Sequence, residues 1–227
     1  QAQAIEIKSS ILPTYEAVVI SSLIPPATIH AVHEPVAGVI LAAGESRRFG
    51  NPKQLLDWHG KPFVWHVANK AIQAGLDPVI IVCGTEMDAL QRVLTDLPVE
   101  FIFNPDWQQG QGTSVRLGTQ AVDSRSGSIL FLLADQPQIP TRLMRSLVDA
   151  HAQRLNPITG PLVDGQRANP VLFDQSTFKD LLSLSGEVGG RQLFPKYPVN
   201  WITWHDPLPL LDIDTPEDYQ RFLELEI

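Results

Sequence analysis

The sequence predicts an α/β fold, a three-layer sandwich whose central sheet is mostly parallel and Rossmann-like. Two observations predict it. Short apolar runs, typical of strands buried on both faces, alternate with stretches whose apolar residues recur at helical spacing. Glycine, asparagine or aspartate follows several of these runs, and in parallel sheets ligands bind beyond the carboxyl ends of the strands.

The first part of the chain carries this alternation most clearly. The run at 36–42 ends at a glycine-containing turn and predicts the first strand. Pro62 opens the first helix and Gly75 ends it, since proline fits the first helical turn and glycine the end. Further strands are predicted at 79–82, 99–103 and 128–133, and further helices at 86–94, 113–122 and 140–154.

The second part is less regular. Its apolar runs predict strands at 168–173, 199–204 and 208–213, and its short helical patterns predict helices at 178–184 and 190–194. A last helix begins at Thr215, whose hydroxyl suits the N-cap position. Residues 1–35 do not follow the alternation, so we expect them to be a leader or linker, or the end of an upstream domain, and 36–227 to form the main domain.

Composition excludes several classes of protein. The net charge of -8 disfavours a nucleic-acid partner, because such proteins usually carry a basic excess. The single cysteine, Cys83, excludes an intrachain disulfide and favours a reducing compartment, hence a cytoplasmic location. No apolar run approaches the roughly 20 residues of a membrane span, so no membrane partner is expected.

The loop after the first strand carries the strongest functional signal. Its small residues allow close approach of the backbone to a ligand, and successive N–H groups can bind phosphate oxygens. Arg47, Arg48 and Lys53 add cations to the same loop, which therefore suits a polyphosphate. Five residues separate Gly44 from Gly50, so this is neither a P-loop nor a dinucleotide fingerprint. The alternative is a solvent-exposed turn with incidental charges.

Two aspartates are candidates for metal binding. Asp135 follows the predicted strand 128–133, and Asp214 follows the predicted strand 208–213. Position alone leaves open that each is a turn or helix-cap residue. Asp212, two residues earlier on the same strand face, is a reserve candidate. Mg²⁺ is typically held by one or two carboxylates together with substrate phosphates and water.

Several segments, taken together and in order, resemble the molybdenum cofactor cytidylyltransferases, which are MobA-like nucleotidyltransferases of the nucleotide-diphospho-sugar transferase fold. The resemblance covers residues 36–225. It is carried by the loop L-A-A-G-x-S-x-R-x-G with Lys53 after it, N-P-D-W leading to G-Q-G-T-S at 104–114, D-Q-P at 135–137, N-P-V-L-F at 169–173 and D-I-D-T-P-E-D at 212–218.

The resemblance implies a Mg²⁺-dependent transfer of CMP from CTP to the phosphate of molybdopterin, with release of pyrophosphate. A molybdenum hydroxylase that receives the cofactor is a further implied partner. The implied residues are Arg48 and Lys53 for catalysis, Asp135 and Asp214 for the metal, Leu41, Ala42, Ala43, Gly44, Gly84, Asn104, Gly112 and Ser114 for the nucleotide, and Asn169, Pro170, Glu187 and Arg191 for the acceptor. Glu187 stands where the family has aspartate.

Other functions remain open at this point. One is the same chemistry with GTP or another nucleoside triphosphate and another small phosphorylated acceptor. Another is a non-catalytic carrier or chaperone for the molybdenum cofactor. Arg48, Lys53, Asp135 and Asp214 favour catalysis, because a carrier would not need a metal-binding pair. An oxidoreductase on this scaffold is a third alternative, although the sequence contains no motif for a redox cofactor.

Overall fold

A central sheet of eight strands organises the residues that the structure describes. The structure is a computed structural model, and it describes residues 34–44, 49–50, 52–122 and 126–225. The candidate catalytic residue Arg48 and nearly all of the segment 1–35 lie outside these ranges, so the role of Arg48 and the nature of that segment stay predictions.

Strands and helices alternate along the chain. The strands are β1 (Val36–Ala42), β2 (Asp57–Trp58), β3 (Lys61–Pro62), β4 (Val79–Cys83), β5 (Glu100–Phe103), β6 (Ser128–Leu133), β7 (Ile158–Val163), β8 (Gln166–Arg167), β9 (Val171–Asp174) and β10 (Val199–Trp204). The helices are α1 (Phe63–Gln73), α2 (Met87–Val93), α3 (Gln111–Val122), α4 (Thr141–Arg154), α5 (Phe178–Leu181) and α6 (Pro216–Leu223).

The strand order of the sheet is β10-β7-β9-β6-β1-β4-β5, and β8 pairs with β7. β1 is parallel to both of its neighbours, with Ile40 opposite Ile81 on β4 and Leu132 on β6. β4 and β5 are parallel as well, whereas β9 is antiparallel to β6 and β7. The predicted mostly parallel sheet is therefore confirmed, and the carboxyl ends of β1, β4, β5 and β6 meet at one edge.

Two apolar layers cover the faces of the sheet, because successive residues of a strand point to opposite sides. On β1, Ile40 packs in the layer formed with α1, α2 and α4, and Val39 in the layer formed with α3 and α5. Both side chains are fully buried. This arrangement confirms the predicted three-layer sandwich. None of the helices in the described ranges has the length and hydropathy needed to cross a bilayer.

The second part of the chain departs from the predicted elements. The strand predicted at 208–213 is wrong: a short 3-10 helix, Leu208–Leu210, is followed there by irregular backbone. Pro207 and Pro209 lack the N–H groups that a paired strand needs. The strand β7 was not predicted, because Gly160 and Pro161 interrupt its pattern. The helix predicted at 190–194 is a 3-10 helix, Gly190–Leu193.

A smaller third cluster fixes the end of the chain to the rest of the domain. It consists of the buried residues Trp58, Phe63, Ile213 and Phe222. The ring of Phe222 lies 5.1 Å from that of Trp58 and 5.3 Å from that of Phe63. This third cluster therefore holds α6, and the irregular segment before it, against the β2–β3 hairpin and α1.

Candidate functional site

A cavity of about 500 Å³ opens at the edge where the carboxyl ends of the parallel strands meet. We call it the first cavity. The turns after β1 and β6 supply two of its walls, and the 3-10 helix Trp107–Gln109 together with the start of α3 supplies a third. It is lined by Leu41, Ala42, Ala43, Gly44, Lys53, Gln54, Trp107, Gln108, Gly110, Gln111, Ser114, Leu133, Ala134, Asp135 and Glu187.

Lys53 joins the two aspartates that the sequence singles out. Its Nζ lies 3.1 Å from Oδ2 of Asp135 and 2.9 Å from Oδ1 of Asp214. Burial by itself opposes the charge on Lys53, but attraction to Asp135 and hydrogen bonds to both carboxylates outweigh it, and the pKa of the ammonium is raised. Lys53 is therefore a permanent cation between two carboxylates, at the rim of the first cavity.

Asp214 reaches this position through its neighbours rather than through a strand. Ile213 is buried in the third cluster, and its carbonyl oxygen accepts a hydrogen bond from Lys53 Nζ at 3.0 Å. Thr215 is the N-cap of α6, as predicted, and forms a capping box with Asp218. Asp214 is thus held between a buried side chain and a fixed helix start. The reserve candidate, Asp212, is exposed, as is Asp214.

The pair of carboxylates suits a divalent metal that also binds substrate phosphates. Within the described ranges, no three His, Cys, Asp or Glu side chains lie close enough to form a complete metal site. Mg²⁺ does not need one, since it usually takes one or two carboxylates and fills its octahedron with phosphates and water. Both side chains keep access to solvent, Asp135 with 34% of its area and Asp214 with 53%. The donor set therefore fits the predicted Mg²⁺.

Asn104 organises the wall formed by the start of α3. It is fully buried, and its Nδ2 lies 2.9 Å from the hydroxyl oxygens of both Thr113 and Ser114. Its Oδ1 accepts from the backbone N–H of Asp106. Asn104 therefore lies behind the cavity wall and orients Ser114, which lines the cavity itself.

Two predicted nucleotide-binding glycines also lie behind the wall. A Cβ on Gly84 would lie 3.2 Å from the carbonyl oxygen of Ala43 and 3.3 Å from the ring of Trp107. A Cβ on Gly112 would lie 2.8 Å from the backbone of Ser185. At both positions the absence of a side chain allows the neighbouring residues to pack closely against the backbone. The other predicted nucleotide residues, Leu41 to Gly44 and Ser114, line the first cavity.

Three glutamines in the wall were not predicted. Gln54 is 5% exposed and its Nε2 lies 3.4 Å from the carbonyl oxygen of Ala42. Gln108 and Gln111 line the cavity on its opposite side. The position of Gln54 directly after Lys53 could have identified it as a cavity residue. The amide-rich run between Trp107 and Thr113 could have identified Gln108 and Gln111.

A second cavity, of about 390 Å³, adjoins the first. Its walls are largely aromatic and aliphatic, with the rings of Phe131 and Phe173 in edge-to-face contact at 5.8 Å. Of the predicted acceptor residues, Asn169, Glu187 and Arg191 line it and Pro170 does not. The lining is Leu41, Gln111, Val115, Phe131, Leu133, Asn169, Val171, Phe173, Glu187, Val188, Gly189, Gly190, Arg191 and Phe194.

The two cavities share one wall. Leu41, Gln111, Leu133 and Glu187 line both of them. The segment 185–187 lies directly against the start of α3: Gly112 N–H donates to the carbonyl oxygen of Gly186 at 2.9 Å, and a Cβ on Gly110 would lie 2.4 Å from Gly186. Two ligands bound in these cavities would therefore meet beside Gln111 and Glu187.

Comparison with known proteins agrees with this architecture. The sequence profile of the MobA-like NTP transferase domain matches residues 38–200. Nicotine blue oxidoreductase of Paenarthrobacter nicotinovorans is 31% identical over 197 residues, which are 83% of this chain and 96% of that protein. Purine catabolism protein PucB of Bacillus subtilis (strain 168) is 31% identical over 194 residues, 80% of this chain and 93% of that protein.

Solved structures show the same relationship. The crystal structure of Rv0371c from Mycobacterium tuberculosis H37Rv has a TM-score of 0.77 at 29% identity and covers 86% of this chain and 100% of its own. A structure of Rv0371c in complex with manganese has a TM-score of 0.70 at 27% identity and covers 84% of this chain and 98% of its own. The predicted fold is confirmed by these likenesses. The chain belongs to the family of the MobA-like NTP transferase domain, within the nucleotidyltransferase superfamily.

Proposed function

We propose that the protein transfers CMP from CTP to the phosphate of molybdopterin, with Mg²⁺ as cofactor and pyrophosphate as the second product. The observation that carries the proposal is the ion cluster of Lys53, Asp135 and Asp214 at the rim of the first cavity, which shares a wall with a second cavity. A transfer between two substrates needs a cavity for each of them and charge neutralisation at the transferred phosphoryl group.

The reaction needs positioning and charge neutralisation rather than a general base. A phosphate oxygen of the acceptor forms a bond to the α-phosphorus of CTP, and the bond from that phosphorus to the oxygen of the leaving pyrophosphate breaks. A phosphate monoester has its second pKa near 6, so it is already a dianion at neutral pH. The small residues after β1 offer backbone N–H groups to the triphosphate. Lys53, with Arg48 from the same loop, neutralises charge on the α-phosphoryl group.

Asp135 and Asp214 would hold the metal in this proposal. When bound, Mg²⁺ would neutralise negative charge on the phosphate oxygens of the triphosphate. Lys53 keeps the two carboxylates together before substrate arrives, since its ammonium contacts both. The manganese complex of the similar Rv0371c supports a divalent metal in this fold.

The two cavities suit the two substrates differently. Ser114, Gln108 and Gln111 offer hydrogen-bonding groups to a base and a ribose in the first cavity. The aromatic walls of the second cavity suit a flat ring system, and Asn169 and Arg191 offer groups for its polar edge and its phosphate. The resemblance of L-A-A-G and G-x-G-T-S to the cytidylyltransferases supports CTP over GTP.

We further propose a cytoplasmic location, which the single buried cysteine supports, and delivery of the product to a molybdenum hydroxylase. The alternatives are GTP or another triphosphate with another acceptor, a non-catalytic carrier, and a redox reaction. The redox alternative has support in the name of one relative, nicotine blue oxidoreductase.

The test is pyrophosphate release from each nucleoside triphosphate, with molybdopterin and Mg²⁺. We expect turnover with CTP and none without Mg²⁺. Turnover with GTP alone would change the proposed base, and no turnover with any triphosphate would overturn the proposal. Oxidation of NADH or NADPH by the protein in the presence of a dye acceptor would support the redox alternative instead.

A further inference from the structure

One side chain ties the turn that carries Asp135 to the segment that carries Asp214. Gln138 follows Asp135 by three residues and is 2% exposed. Its Nε2 lies 2.8 Å from the carbonyl oxygen of Leu211 and 3.4 Å from that of Leu208. Carbonyl oxygens accept hydrogen bonds and do not donate them, so only the NH₂ group can face them. The orientation of this amide is therefore fixed.

This contact matters because residues 208–214 pair with no strand in the part of the chain that the structure describes. Buried backbone oxygens need hydrogen-bond partners, and a sheet normally supplies them. Here the amide of Gln138 takes that place at Leu211, three residues before Asp214. Ile213, between them, is buried in the third cluster. The backbone that leads to Asp214 is thus fixed by a polar contact and an apolar one.

The turn itself is held from its other side. Lys70, on α1, donates from Nζ to the carbonyl oxygen of Pro137 at 2.5 Å, and its ammonium lies 5.1 Å from the ring centre of Trp58. Burial lowers the pKa of Lys70 to about 8. Gln138 therefore joins a turn that contacts α1 to the segment that leads to Asp214.

We propose that Gln138 is a positioning residue that sets the separation of the carboxylates of Asp135 and Asp214, and thereby the affinity of the site for a divalent cation. The inference rests on the proposed function, in which these two aspartates hold the metal. Side chains that hydrogen-bond directly to metal ligands typically change metal affinity about 10- to 100-fold when they are replaced. Gln138 acts through the backbone that leads to a ligand, so we expect the lower end of this range.

The experiment compares Mn²⁺ binding by the full chain, in the presence of a non-hydrolysable CTP analogue, between wild type and Gln138→Met. Methionine has a similar length and no donor. We expect binding about tenfold weaker by electron paramagnetic resonance, and a KM for Mg²⁺ raised by about the same factor, with kcat at saturating Mg²⁺ within about twofold of wild type.

A matched control is Arg142→Met. Arg142, on α4, also contacts the chain before Asp214, through an ion pair with Asp206 at 2.6 Å. This contact is farther from Asp214 along the chain than that of Gln138. We expect this variant to bind Mn²⁺ as wild type does. Equal affinity of wild type and Gln138→Met would overturn the inference, and so would an equal loss in Arg142→Met, because that would indicate general loosening.

The outcomes separate this inference from the proposed function. If wild type binds no Mn²⁺ even with the nucleotide analogue, the metal assignment of the proposed function is wrong. If Gln138→Met does not fold by circular dichroism, Gln138→Asn replaces it. Its amide is one methylene shorter and cannot keep the 2.8 Å contact to Leu211 without backbone movement. Weaker Mn²⁺ binding is expected there too, and wild-type affinity would overturn the inference.

Discussion

The two cavities of this protein are built in different ways. The first lies at the ends of parallel strands, and its functional groups are charges, amides and backbone N–H groups on short turns. The second is formed by aromatic and aliphatic side chains on α3, β6 and β9, together with residues 187–191, which lead into the 3-10 helix Gly190–Leu193. The regular first part of the chain thus supplies most of the first cavity, and the less regular second part supplies most of the second.

The difference indicates that the first cavity can supply the chemistry and the second the selectivity for the acceptor. In the proposed function, Lys53 and a metal held by Asp135 and Asp214 would neutralise charge on any triphosphate, so this part of the site would not depend on the acceptor. A cavity with apolar walls discriminates by shape, which changes readily with the residues that line it. Variants in the first cavity and variants in the second cavity should therefore change different kinetic parameters.

The largest expected effect is that of Asp135→Asn, on the side of the first cavity. Loss of the charge removes a proposed metal ligand, so we expect kcat to fall about 10³-fold, with a melting temperature close to that of wild type. Pyrophosphate release and circular dichroism measure the two quantities. Turnover within about threefold of wild type would contradict the assignment of Asp135.

The second metal ligand is tested by a pair of neighbours. Asp214→Asn should lower turnover about 10²-fold because this carboxylate contacts Lys53 and is a proposed metal ligand. Asp212→Asn should have a much smaller effect, because the proposed metal site consists of Asp135 and Asp214. Steady-state kinetics with varied Mg²⁺ compares them. A larger loss in Asp212→Asn would reverse the assignment.

Lys53→Met should lower turnover about 10²-fold, since it removes the cation proposed to neutralise the α-phosphoryl group. The same variant should bind Mn²⁺ more tightly than wild type when no nucleotide is present, because two carboxylates then lack their shared ammonium. Mn²⁺ titration measures this. Weaker binding without nucleotide would show that Lys53 supports the metal rather than competing with it.

Two glycines allow the same substitution to be compared beside each cavity, Gly84 beside the first and Gly190 beside the second. A Cβ on Gly190 would lie 2.6 Å from the buried ring of Phe173, and one on Gly84 would lie 3.3 Å from the ring of Trp107. We expect Gly190→Ala to raise the KM for the acceptor about tenfold and Gly84→Ala to raise the KM for the nucleotide a few-fold, because the closer contact forces the larger shift. A raised KM for the nucleotide in Gly190→Ala, or for the acceptor in Gly84→Ala, would contradict the separation of the cavities.

A comparably small effect is expected at the wall that the two cavities share. Gln108 and Gln111 both line the first cavity, but only Gln111 also lines the second. Gln111→Ala should therefore raise the KM for both substrates by about fivefold, and Gln108→Ala only that for the nucleotide, which is the scale of about one hydrogen bond each. Identical kinetics in the two variants would show that the shared wall has no special role.

Much of the first cavity could be predicted from the sequence. Asp135 follows a strand whose apolar run is continuous, so its place at the ligand edge follows from chain direction alone. The second part was harder, because its elements are short and interrupted by proline and glycine. Asp214 was predicted at the end of a strand that does not exist; its position depends instead on the burial of Ile213 and on the cap of α6.

The layer architecture, the parallel core of the sheet and the family could be read from the sequence, because local periodicity and short motifs encode them. The contacts of Lys53 with Asp135 and Asp214, which are far from it in the chain, are evident only in the folded protein, and so is the place of Asn104 and Gly112 behind the cavity wall. Only the tertiary structure places Gln138 between two segments and Gln111 between two cavities. Contacts of this kind depend on how separate elements pack, and no local pattern records that.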